Sequence, residues 1–385
     1  MKVFALIYRN LLRHTLRTVL TITGMAVAVM AYALLRTIIG AWYVGLDATA
    51  PDRLIVRHAV SFIFPLPYAY GERIASVPGV TGVTYMTWFQ GTYIDERNFF
   101  PRQAVDAATF FDMYGEYLVP ETEMATFQRQ RNSCLIGVKT AEKFGLRPGD
   151  VMTVEGDIFP GSWQFVVAGT YRGRDRATDE TQMFFHWQYL EESLRKTMPV
   201  RAGVVGWYVV RIADPSYAPS VSAGIDALFT NSPAETKSET ERAFAAGFLS
   251  MSSAIITAMQ FISWIVIGII LLVLANTMVM TARERVTEYA VLKTLGFTTM
   301  HLTGLIAGES LLISTLGGVL GIGLTFPIAG GIADALSSFF PVFSVGTDTM
   351  LLAMSFALLV GIVAAIVPVR RAMRTSIVEG LRNIG

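Results

Sequence analysis

From Phe244 to Ala282 the chain runs for 39 residues without a charged side chain. As one helix this stretch is about 58 Å long, nearly twice a hydrocarbon core of about 30 Å. A charged segment at helical spacing follows, Thr281-Ala-Arg-Glu-Arg-Val-Thr-Glu-Tyr-Ala-Val-Leu-Lys-Thr-Leu-Gly296. Next comes a second apolar stretch that holds one acid, Glu309, and glycines at 317, 318, 321 and 323. Apolar, charged, apolar predicts two spanning helices joined by a short helix on the cytoplasmic side. Counting back about 20 residues from Thr281 places the outer boundary near Phe261 and Trp264, where aromatic anchors belong. The preceding part, Phe244 to Gln260, is expected to continue the same helix as a stalk above the membrane. The alternative is two helices with a break near Gly247 or Ser252.

The rest of the chain arranges itself around that core. Only 16% of residues are charged and 52% are hydrophobic, so much of the surface is expected to meet lipid. Residues 1–17 carry Lys2, Arg9, Arg13 and Arg17 with no acid, and their apolar residues fall at helical spacing. They predict a basic amphipathic helix along the cytoplasmic membrane face. Residues 18–44 form the first span, ending on Trp42 and Tyr43. A signal peptide is the competing reading, but the uncharged run outlasts a usual h-region and no small-residue cleavage site follows. Residues 45–240 regain charge and turn signals such as Val77-Pro-Gly and Arg147-Pro-Gly-Asp. Strands are expected at 52–58, 81–88, 150–155, 164–170 and 206–212, and helices at 138–144, 187–196 and 219–229. That mixture reads as one or two α+β lobes. After the stalk and second span (241–282) come a cytoplasmic coupling helix (283–300), a third span (301–333), an outer loop (334–348), a fourth span (349–369) and a cytoplasmic tail (370–385). No Lys or Arg lies between Lys293 and Arg370, so the 334–348 connection falls outside by the positive-inside rule. The expectation is therefore a membrane protein with four transmembrane α-helices. A large extracytoplasmic α+β domain sits between the first two, and both termini lie in the cytoplasm.

Several kinds of chemistry find no support. The balance of 31 basic to 30 acidic residues argues against nucleic acid as a partner. The lone Cys134 matches no metal spacing and reads as a buried apolar residue. No Gly-x-x-x-x-Gly-Lys-[Ser/Thr], His-Glu-x-x-His or Gly-x-Ser-x-Gly occurs, so no catalytic, metal or cofactor site is expected. Histidines 14, 58, 186 and 301 are scattered. The loop Arg172–Glu180 reads as solvated surface. The aromatic group Trp88, Phe89, Tyr93, Phe99 and Phe100 is either domain core or a contact for apolar cargo. Glu309 lies about 10 Å into the third span, counted from Leu302, and should face protein or water rather than lipid. Pairing with an arginine or a backbone group is the first expectation for it, and a proton relay the second. Gly317, Gly318, Gly321 and Gly323 predict close helix packing. Arg283, Glu284, Arg285, Glu288, Lys293 and Gly296 form the candidate surface for an outside motor, against the plainer reading of ordinary flanking charge.

Three stretches resemble one family. Tyr8-Arg-Asn-Leu-Leu-Arg-His-Thr-Leu-Arg17 and the span after it are similar to the first helices of MacB/FtsX-type ABC transporter permeases, which include LolC/LolE-like lipoprotein exporters. Arg283-Glu-Arg-Val-Thr-Glu288-Tyr-Ala-Val-Leu-Lys-Thr-Leu-Gly296, with Gly308-Glu309-Ser and Gly317-Gly-Val-Leu-Gly321, resembles the segment after their second span. Here Tyr289-Ala290 replaces the usual Ile-Gly. Pro368-Val-Arg-Arg-Ala-Met-Arg-Thr-Ser-Ile-Val-Glu379-Gly-Leu-Arg382 is similar to their ending. Ile136 to Asp150 resembles the MacB-like periplasmic core. The resemblance implies an inner-membrane permease subunit without its own ATPase site, with ATP and Mg held by a separate cytoplasmic ATPase. It implies a second permease protomer, as homodimer or heterodimer, and a periplasmic adaptor or lipoprotein as a further partner. ATP-driven motion would pass through 283–296 to the outer domain, for export or extraction of a lipoprotein, lipid, peptide or drug-like cargo. The alternative is an FtsX-like signalling subunit that activates a cell-wall hydrolase. Such members usually carry a smaller outer domain than the roughly 200-residue insert here.

Overall fold

The computed structural model describes residues 15–47, 49–96, 98–175, 177–335 and 343–374. Most of the basic helix expected over 1–17, the ending beyond Arg374 and the middle of the 334–348 connection lie outside the described residues. The chain separates into two units. One holds the described residues up to 41 together with 252–335 and 343–374, and the other holds 42–251.

The first helix is α1 (Thr15–Asp47). The strands that follow are β1 (Arg53–His58), β2 (Leu66–Pro67), β3 (Val80–Trp88), β4 (Gly91–Thr92), β5 (Arg102–Val105), β6 (Tyr117–Leu118) and β7 (Ser133–Gly137). After them come β8 (Val151–Gly156), β9 (Gly161–Gly173), β10 (Met183–His186), β11 (Val204–Val205), β12 (Trp207–Ile212) and β13 (Thr236–Thr240). Among them run helices α2 (Tyr70–Ala75), α3 (Phe110–Met113), α4 (Glu121–Arg129), α5 (Val138–Phe144), α6 (Trp187–Thr197) and α7 (Ala218–Leu228). The chain closes with α8 (Glu241–Met251), α9 (Ser253–Glu284), α10 (Val286–Thr294), α11 (Thr299–Ala335) and α12 (Thr347–Arg374).

Eleven strands form one mixed sheet, in the order β13-β1-β12-β3-β5-β10-β7-β9-β8-β4, with β6 alongside β9. The β5–β10 and β7–β9 pairs are parallel and the rest antiparallel. Period-two alternation sends side chains into separate cores on the two faces. Leu54, Val56, Tyr208 and Phe185 enter one core, and Ile55, Val209 and Phe184 enter the other. With both faces covered, the inner strands are apolar at almost every position, and β10 is buried throughout. Cys134 is wholly buried in this sheet, as its sequence context predicts. Phe89, Tyr93 and Phe100 are also core, whereas Trp88 is half-buried and Phe99 is 38% exposed. Of the expected loop 172–180, Arg172 and Gly173 belong to β9, and beyond them Asp175 accepts from the backbone of Ala177 and Thr178.

In the other unit, α1, α9, α11 and α12 are each long and apolar enough to cross a membrane. Their buried residues form stripes at helical spacing, such as Ile270, Leu274, Met278 and Ala282 on α9. On α12 the stripe is mostly alanine, from Ala353 and Ala357 to Ala364 and Ala372. The opposite faces stay apolar and exposed, including Phe261, Trp264 and Leu272.

One expectation is corrected. The stretch Phe244–Ala282 is not a single helix, because it breaks at Ser252, whose backbone sits at φ −97°, ψ 4°. Gly247 and the serines around the break favour helix poorly, and the Ser250 hydroxyl takes the Gly247 carbonyl at 2.6 Å. Helix α8 therefore belongs to the outer unit and not to a stalk of the second span. Its first residue, Glu241, accepts from Arg53 Nε on β1 at 2.8 Å, and Phe244 packs against Trp207 and Phe62.

Candidate functional site

The charged residues of 283–300 meet at one end of the spanning bundle, but not as one continuous helix. Arg283 and Glu284 end α9, Arg285 is the joint, and α10 begins at Val286. The joint residue leaves helical geometry at φ −104°, ψ 11°, which lets α10 change direction. At its far end α10 stops on Gly296, at φ +89°. The Gly296 amide donates to Lys293 O (3.1 Å) and the Phe297 amide to Leu292 O (3.0 Å), the paired bonds of a Schellman cap. A side chain at that φ is strained, so the glycine is a requirement of the turn.

Arg285 was expected on the exposed coupling surface, and the structure corrects this. It is 4% exposed, and its Nη1 donates to Glu309 Oε2 on α11 at 2.9 Å. Its Nε lies 3.3 Å from Glu288 Oε2. Glu309 is itself 7% exposed, so a carboxylate that lipid would reject is held by a buried guanidinium. Glu284 pairs with both guanidinium nitrogens of Arg17 on α1, at 2.6 and 2.8 Å. Lys293 donates to the Ala372 and Met373 carbonyls at 3.1 and 3.5 Å, in the last turn of α12 where a cation suits the helix end. Burial pushes the Tyr289 phenol up to about 12. Arg283 is exposed, and so are the apolar side chains of Val291, Leu295 (72% exposed) and Met300 (85%). Charge patterning in the sequence missed these three, which lie on α10, just past its end and in the first turn of α11, so no single helical period joins them.

Glycines lock the spans above this foot. A Cβ at Gly317 would lie 2.5 Å from Met25 Cβ of α1, and one at Gly321 would lie 2.5 Å from Ala26 O. At Gly318 it would lie 3.0 Å from Ala357 Cβ of α12, whereas at Gly323 it would meet nothing. The three packing glycines therefore serve two neighbours, and Gly323 serves none. Ser310 adds a buried hydrogen bond to the Gly361 carbonyl at 2.7 Å.

The outer unit holds a cavity of about 420 Å³, lined mainly by apolar side chains, among them Phe62, Trp88, Phe159, Leu194 and Trp207, with Arg201 as its one charged residue. Of the aromatic group named in the sequence, only Trp88 reaches it. No group of His, Cys, Asp and Glu among the described residues could hold a metal.

Comparison with known proteins matches two segments of the chain. Residues 18–228, more than half of the 385-residue chain, match the model of the MacB-like periplasmic core domain. Residues 260–377 match the FtsX-like permease C-terminal domain. No curated protein shows significant similarity to the sequence. Among solved structures, the extracellular domain of the noncanonic ABC-type transporter YknZ from Gram-positive bacteria is 13% identical, with a TM-score of 0.37. That match covers 49% of this chain and 99% of the other. A domain of a Porphyromonas gingivalis protein described as a permease is 14% identical, with a TM-score of 0.35, covering 50% and 92%.

Proposed function

Because this chain belongs to the MacB/FtsX-type permeases of ABC transporters, we propose that it passes ATP-driven motion from a cytoplasmic ATPase to its outer unit, where cargo is exported or extracted. Membership implies that ATPase partner and a multi-pass inner-membrane location. The observation that carries the mechanical reading is how α10 is mounted. Buried charge ties one end to α11, a lysine ties the other to α12, and exposed apolar side chains lie between and beyond them. A helix held that way resists rocking on its own bundle and offers a partner a handle. Both termini and α10 face the cytoplasm in this reading, two protomers assemble with two ATPase subunits, and ATP and Mg stay on the partner. Arg283, Leu295 and Met300 meet the motor, while Glu284, Arg285, Glu288, Lys293 and Gly296 hold the handle in place.

Cargo is a lipoprotein, lipid, peptide or drug-like molecule handled outside the cytoplasm, with an adaptor or lipoprotein as an outer partner. The apolar cavity of the outer unit favours transport over activation of a cell-wall hydrolase, since its volume is that of a small-molecule site.

The test is co-purification with the partner ATPase from membranes. Leu295→Asp and Met300→Asp each place a charge at an exposed apolar position without touching a buried residue. Insertion is expected to be unchanged and ATPase recovery to fall at least about tenfold, the effect of losing an interface anchor. Full recovery with both variants would contradict the reading.

A further inference from the structure

Arg285 occupies an unusual place in the bundle. It is the joint between α9 and α10, and its two carboxylate partners lie on α10 and α11. One guanidinium thus bridges three helices. Its Nη2 is buried with no hydrogen-bond partner among the described residues. The side chain also lines a cavity of about 20 Å³, shared with Glu309 and the hydroxyl-bearing Thr18, Thr21, Thr277 and Thr281. A polar cavity of that size has room for one water. The guanidinium is therefore held by carboxylates of two helices, with space for a water beside it.

Pulling this pair apart takes the buried Glu309 carboxylate from its guanidinium at the edge of a hydrocarbon layer, which opposes separation of α10 from α11. The exposed Arg17–Glu284 pair is different, because water can replace either partner. The third span carries Glu309 and, further along, Gly317 and Gly321 against α1 and Gly318 against α12. Any load that reaches Glu309 is applied to a helix in tight contact with two others.

We propose that Arg285 is a positioning residue that fastens α10 to the third span through Glu309, so that a displacement of α10 is delivered to spans two and three as one body. The proposal rests on the transport reading above for its consequence, but not for its geometry. Lysine cannot do the same work. It carries the charge but not the planar fork that reaches Glu309 and Glu288 at once.

The experiment uses the full chain in lipid nanodiscs, with and without its co-expressed ATPase. Spin labels sit at Thr294→Cys on α10 and Gly304→Cys on α11, both exposed positions, while the buried Cys134 stays unlabelled. In the otherwise unaltered protein the label distance is narrow, and it is the same without nucleotide and after trapping with ATP and vanadate. Arg285→Lys is expected to insert normally, broaden that distribution about twofold and reduce stimulation of the ATPase about tenfold, within the usual range of coupling energies. Exchanging the charges, Arg285→Glu with Glu309→Arg, is expected to recover part of both. A distribution in Arg285→Lys as narrow as in the parent overturns the linkage, as does a change of distance on trapping in the parent. If the parent chain fails to stimulate the ATPase at all, the transport reading falls, and the width measured in the chain alone still decides the linkage.

Discussion

Two buried arginines of the outer unit should respond in opposite ways to the same substitution. Arg53 is bound by Glu116 at 2.7 and 3.0 Å, by Glu241 at 2.8 Å and by the Met113 carbonyl at 3.3 Å. Burial lowers its proton affinity, but the two carboxylates outweigh that and hold it above the usual arginine value. Arg53→Met should cost about 3–5 kcal/mol in thermal unfolding, because two acids lose their cation. Arg102 instead has one carbonyl, Gly91 O at 2.7 Å, and the Phe100 ring at 3.9 Å, with Nε and Nη2 unpartnered among the described residues. Burial brings it down to about 10. Arg102→Met should be neutral or stabilising, as expected when a poorly compensated buried charge is replaced by an apolar side chain. His186 adds a dependence on pH. Burial lowers its pKa from 6.5, opposed by the bond from its ring to Phe127 O at 2.6 Å. The folded ring stays neutral where the unfolded one takes a proton, so stability falls as pH drops through that value. The slope is at most about 1.4 kcal/mol per pH unit. His186→Gln should remove that component from the pH profile of the melting temperature.

At the scale of elements, the four spans were legible because long uncharged runs have few folded alternatives, and runs rich in β-forming residues between turn signals marked β1, β3, β8, β9 and β12. Strands β5, β7 and β10 went unread because runs of only four or five residues are too short to show a period. The sheet order was hidden for another reason: it joins β1 to β12 and β13 across most of the insert, and local sequence does not encode long-range pairing. The break at Ser252 turned on one backbone conformation within a stretch whose composition fitted either outcome. Glu309 could be placed in the protein interior from the cost of lipid exposure, but choosing Arg285 as its partner required the turn at the joint. The glycines divide in the same way, since their presence predicts packing and only the structure says which ones pack. Gly321→Ala should destabilise the detergent-solubilised bundle by about 1–3 kcal/mol, as Cβ overlaps Ala26 O, whereas Gly323→Ala should leave its melting temperature unchanged.

For the whole molecule, the family models matched over residues 18–228 and 260–377 describe a permease, here with a cavity-bearing unit between its first two spans. In the proposed mechanism, nucleotide on the cytoplasmic side changes the outer unit. Val200 is 98% exposed on the cavity rim and takes a spin label without disturbing any packed residue. The direct measurement is the distance between Val200→Cys labels on the two protomers of the ATPase-bound assembly in nanodiscs, with and without ATP and vanadate. A shift on trapping is expected, and it is expected to disappear in Leu295→Asp. An unchanged distance, in an assembly shown to hydrolyse ATP, would contradict it.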